Sequence, residues 1–88
     1  MIKILNSRYN RNGVSGRGFH KVLFNYIDDY DNSTETLIAI VPENDEGKKE
    51  VSDCSILNPL RFEDCYRGDV IGFELIPLLE KMLETKLD

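Results

Sequence analysis

Apolar residues recur at a period of two in parts of the first half of the chain, and a three-to-four-residue period replaces it near the end. Residues 2–9, IKILNSRY, mix β-branched and aromatic residues in loose alternation and predict a strand. Residues 19–27, FHKVLFNYI, alternate more strictly. Val22, Phe24 and Tyr26 share one face there, while Lys21, Leu23, Asn25 and Ile27 share the other. Apolar side chains at period two bury together, so the Phe24 face is expected to turn inward. Residues 35–41 centre on TLIAIV, apolar on both faces, which predicts an inner strand. Pro42 ends it, because proline cannot donate to a ladder. Residues 50–57 are less apolar and predict a fourth strand nearer an edge, stopped by Asn58-Pro59.

The connections carry their own signals. Asn12-Gly13 favours a hairpin turn, and Gly16 and Gly18 follow too closely for a two-residue loop. A longer loop is therefore expected, with a bulge at Gly18. Asp28, Asp29, Asp31, Asn32 and Ser33 predict an acidic turn whose side chains bond the nearby backbone. Leu60, Phe62, Cys65 and Tyr66 lie in an irregular stretch and are expected to plug the end of the core. Asp69 is the expected N-cap of a terminal helix. In that helix Phe73, Ile76, Leu79, Leu83 and Leu87 recur at helical spacing, with Leu75 and Met82 widening the stripe. Pro77 lacks an N–H, so the regular helix is expected either to begin near Glu74 or to kink after one turn. The expected fold is α+β: a four-stranded, mainly antiparallel sheet, hairpin first, with one C-terminal amphipathic helix packed on one face.

Composition narrows this picture. The 88 residues are enough for one small domain spanning 1–88, with 41% hydrophobic and 31% charged residues, a globular balance. No apolar run approaches the roughly 20 residues that cross a bilayer, and MIKIL is too short for a signal core, so a cytoplasmic protein without membrane contact is expected. Cys54 and Cys65 are then expected to stay reduced. Two cysteines and one histidine, without C-x-x-C spacing, make a poor ligand set, so neither a metal nor a cofactor is expected. The net charge of −5 is unevenly spread. Residues 1–27 carry Lys3, Arg8, Arg11, Arg17 and Lys21 and no acid, whereas residues 28–88 carry all 16 acids against the 6 remaining bases. Such a split suggests one face that attracts anions and another that repels them, unless the two halves neutralise each other in one sheet.

The candidate surface is Arg8–His20, RYNRNGVSGRGFH. Its glycines let backbone amides converge on an anion, and its arginines supply bidentate donors. It lacks the G-x-x-x-x-G-K-[ST] spacing of a nucleoside-triphosphate loop, and the competing reading is a hairpin tip that uses glycine for positive φ. Arg8, Tyr9, Arg11, Ser15, Arg17 and His20 are the candidate binding residues. Arg67 joins them if the end of the fourth strand folds beside the hairpin. Ser15 and His20 have no evident third partner, so catalysis is not expected. Nucleic acid is disfavoured by the acidic half, although aromatic residues interleave with the arginines. The acids between Asp28 and Glu50 can instead imitate a phosphate backbone toward a basic partner, or simply keep the protein soluble.

The R-N-G-x-x-G-x-G-F segment with a later Y-R-G-D before a helix resembles a pattern in small bacterial or phage-borne proteins, and the resemblance implies no activity. Two function classes remain. The first is a non-enzymatic protein-interaction module, an inhibitor or adaptor of the kind mobile genetic elements carry, such as a phage anti-defence protein. The second is a binder of a small phosphorylated ligand or nucleotide through the 8–20 loop. Leu23 and Ile27 on the second sheet face also raise the expectation of a homodimer.

Overall fold

The computed structural model describes residues 1–11, 18–43, 51, 54–60, 63–64 and 67–84, with only the backbone of Glu84. Four strands form one antiparallel sheet in the order β1-β2-β3-β4: β1 (Ile2–Asn10), β2 (Phe19–Ile27), β3 (Thr34–Pro42) and β4 (Ser55–Leu57). One helix, α1 (Gly68–Glu84), follows. The chain is therefore α+β, as the hydrophobic pattern predicts.

Strand register explains which face is buried. Phe24 stands between Ile4 and Leu37, and Val22 between Ser7 and Ala39. Cross-strand partners share a face, so Ile4, Val22, Phe24, Leu37, Ala39 and Val41 line one side. Val22, Phe24, Ala39 and Val41 have no exposed surface. They join Ile71, Leu75, Leu79 and Leu83 of α1 in a single core. The tight acidic turn forms as expected. The amides of Tyr30 and Ser33 donate to Asp28 and Asp31 at 2.8 and 2.9 Å. Asn32 takes φ 59°, a left-handed value that asparagine tolerates.

Several expectations are corrected. An unexpected bulge lies in β1 between Ile4 and Asn6, while the loop expected to carry one at Gly18 runs through 12–17, outside the described residues. The strand pattern of 50–57 yields only Ser55–Leu57, and residues 50, 52 and 53 lie outside the described residues. Leu60 does not plug the core but is 90% exposed. Phe62, Cys65, Tyr66 and Leu87 lie outside the described residues. The helix starts at Gly68, with the Ile71 amide donating to the Arg67 carbonyl at 3.0 Å. Arg67 thus holds the capping position, and Asp69 sits inside the first turn, where a carboxylate favours the positive end of the helix dipole.

The helix runs from Gly68 through Pro77 rather than beginning near Glu74. Pro77 is exposed, so the Phe73 carbonyl that loses its usual donor can turn to water. The buried stripe is Ile71, Leu75, Leu79 and Leu83, and Phe73 is excluded from it at 88% exposure. The reason is angular. At about 100° per residue, Phe73 sits some 120° around from Leu79, whereas Leu75 and Leu83 sit within about 40°.

Candidate functional site

Three places gather chemistry. The first is the mouth of the β1/β2 hairpin. Tyr9 pairs with His20 in register, and their rings lie 5.0 Å apart at 49°. His20 is only 5% exposed, sunk into the helix-facing side of the sheet. The Tyr9 phenol faces the Glu43 carboxylate. Hydrogen bonding to that carboxylate, ahead of partial burial and its negative charge, holds the phenol pKa above the ordinary tyrosine value, while Arg11 opposes the shift. Gly18 lets this ring lie close over the backbone, because a Cβ there would meet the Tyr9 hydroxyl and ring and displace them. The Gly18 carbonyl meanwhile accepts the Glu43 amide at 3.1 Å. Glu43 was not expected here. Only the register of β3, which brings Pro42 opposite Phe19, places it at the hairpin mouth.

The second place is the opposite end of β2. Arg67 Nη2 lies 3.1 Å from Asp28 Oδ2, and its guanidinium carbon sits 5.4 Å from the Tyr26 ring centre. The amide of Tyr30, and then the Arg67 guanidinium, hold the Asp28 carboxyl below its ordinary pKa. His20 and Tyr26 are six residues apart on one strand, about 20 Å. Arg67 therefore does not join Arg8 and Arg11 around one anion, as a folded-back β4 would require. It locks the start of α1 onto the acidic turn. Of the remaining candidates, Arg8 and Arg11 are exposed, and Arg8 stands opposite Lys21 on the sheet face away from the helix. Ser15 and Arg17 lie outside the described residues.

The third place went unnoticed in the sequence because Phe73 resembles a core residue. Phe73 projects from α1 between two grooves. One, of about 470 Å³, runs between α1 and β4 past Ile56, Asp64, Asp69 and Gly72. The other, of about 670 Å³, is bounded by Tyr26, Asp69, Val70 and Glu74. Val70 is 62% exposed beside it. The described charged residues lining both grooves are all acids: Asp64, Asp69 and Glu74. Glu74 is engaged by the Met1 amine at 3.4 Å, which also approaches Asp29 at 3.7 Å. No group of three or more potential metal ligands occurs among the described residues.

Comparison with protein-family models, with curated proteins and with solved structures finds no match, so the chemistry of these three places carries the functional reading.

Proposed function

We propose that the protein is a non-enzymatic interaction module, an adaptor or inhibitor, whose contact face is the Val70–Phe73 edge of α1. The observation that carries this reading is an aromatic side chain left 88% exposed on a well-packed helix, flanked by grooves on both sides. Exposed aromatic anchors of this kind supply large contact area at low entropic cost and dominate binding energy when a partner desolvates them. The rim of Asp64, Asp69 and Glu74 selects the partner's chemistry: an apolar pocket bordered by lysine or arginine. The burial of His20 supports a non-enzymatic reading, since a general base must reach its substrate.

A photo-crosslinker introduced as Phe73→p-benzoylphenylalanine tests this reading in the native host. Crosslinks to one basic protein are expected, and none from the same group placed at Lys3 on the other face. The second reading, a binder of phosphorylated ligands through residues 8–20, retains Arg8 and Arg11 as exposed donors. It predicts a rise in melting temperature with nucleotides that Arg11→Gln abolishes, since Arg11 belongs to this loop. A homodimer through the open sheet face is disfavoured. A two-fold contact through it would bring together two surfaces that both carry Lys3, Arg8 and Lys21, with no strand acid on that face to pair them.

A further inference from the structure

The residues of β1–β4 on the sheet face turned away from α1 carry charge of one sign, and Asp64, outside the strands, bridges Leu57 at the β4 edge. Register places Lys3 opposite Asn25, Asn6 opposite Leu23, and Arg8 opposite Lys21 on this face. None of the strand residues that share it is acidic. The protein as a whole carries −5, so this local excess of cations is not a reflection of composition. Among the described residues, no carboxylate lies within ion-pair distance of Lys3, Arg8 or Lys21. Among the described residues, the cations of this face are thus not paired with the acids of the second half.

Arg8 and Lys21 are directly opposed like charges, an arrangement that weakens a sheet unless something offsets it. They border a pocket of about 200 Å³ whose floor is Leu23 and the nearly buried Ile38, with Asn6 at its side. We propose that this pocket is a binding site for a small phosphomonoester. Its oxyanion sits between the Arg8 guanidinium and the Lys21 ammonium, and its apolar body lies on Leu23 and Ile38. Arg8 supplies a planar fork that matches phosphate oxygens, Lys21 a compact charge, and Asn6 an amide donor. A dianion between the two cations removes their mutual repulsion, so binding and folding reinforce each other. The site stands on the open face and is independent of the Phe73 edge. A small ester is favoured over a nucleic-acid backbone because the cations are confined to one cross-strand pair with Lys3 some four residues away, and the rest of the chain is acidic.

The test is an NMR titration of the nitrogen-15-labelled protein with phenyl phosphate, inorganic phosphate and a short thymidine oligonucleotide in turn. Phenyl phosphate should give saturable shifts confined to the amides of residues 6–8, 21–23 and 38. Its affinity should exceed that of inorganic phosphate by about tenfold, since only the ester buries apolar surface on Leu23 and Ile38. Arg8→Gln and Lys21→Gln are surface changes that keep the fold, and each should weaken phenyl phosphate about tenfold or more. Lys21→Gln should also raise the melting temperature of the ligand-free protein by relieving the repulsion. Phe73→Ser should leave the titration unchanged, which separates this site from the interaction edge. Unchanged affinity in Lys21→Gln, or shifts spread over every lysine, would overturn the site. Tighter binding of the oligonucleotide than of phenyl phosphate, with shifts extending to Lys3, would overturn the assignment to a small ester.

Discussion

Phe24 and Phe73 are the two phenylalanines whose roles the fold separates most sharply, and replacing each by alanine measures that separation. Phe24 has no exposed surface and sits at the centre of the sheet, between Ile4 and Leu37 and under α1. Removing a fully buried phenyl ring costs about 3–5 kcal/mol, as lost transfer energy plus the cavity left behind. A chain of 88 residues has an unfolding entropy near its midpoint of about 0.18 kcal/mol/K, from roughly 2.1 cal/mol/K per residue. The expected fall in Tm is therefore about 16–27 °C. Total stability at this length is about 4–13 kcal/mol, so Phe24→Ala removes between a quarter and all of it. Phe73 is 88% exposed, and truncating it should cost no more than about 0.5 kcal/mol. Alanine's better helix propensity can even offset that loss. Thermal and urea unfolding followed by circular dichroism compares the two. Equal losses, or a Phe73→Ala penalty above about 1 kcal/mol, would mean that α1 packs Phe73 inward and that the Ile71–Leu83 stripe is misassigned.

Three further outcomes follow from named contacts. Gly72→Ala should stabilise the fold by up to about 1 kcal/mol in urea unfolding. A Cβ there meets Ile56 and Ile76 only at ordinary contact distances of 3.8 and 3.9 Å. Asp28 and Asp31 both have lowered carboxyl pKa values, from turn amides first and, for Asp28, from Arg67 next. Their stabilisation is thus present above the ordinary value of 3.8 and is lost as pH falls below it through the folded values. Asp28→Asn should flatten that acid limb, whereas Arg67→Gln should leave the Asp28 carboxyl still lowered by the Tyr30 amide, as carbon-13 titration would show. Tyr9 has the opposite sign. Its raised pKa favours the neutral phenol, so its contribution holds below the ordinary value of 10.0 and fades as pH rises through the folded one. Tyr9→Phe should remove that alkaline loss, seen as a flatter Tm as pH rises above the ordinary value of 10.0.

The strands were legible because period-two patterning acts locally. FHKVLFNYI names its own inner face, and β2 occupies Phe19–Ile27 as the pattern predicts. TLIAIV named an inner strand because it is apolar on both faces, and β3 lies between β2 and β4. The helix was legible in kind but not in its start or its rotation. Its stripe has apolar residues on both sides of the true seam, and Phe73 has the bulk of a core residue without the angle of one. The bulge at Leu5 left no signal, because neither glycine nor proline marks it. The site suffered most. Arg67 was grouped with Arg8 and Arg11 on the assumption of a topology, and the observed strand order carries it to the far end of β2. The charge split between residues 1–27 and the remainder was visible in composition. What composition could not supply was the register that sorts Lys3, Arg8 and Lys21 onto one face.

The most direct test of the interaction edge is quantitative affinity capture from the native host with three baits. These are the unaltered protein, Val70→Ser/Phe73→Ser and Arg8→Gln/Lys21→Gln. A basic protein retained by the first and third baits, lost from the second and eluted by raised salt is the predicted result, because aromatic burial anchors the complex and the acidic rim steers it. Equal retention by all three baits, or loss only from the Arg8/Lys21 bait, would contradict it.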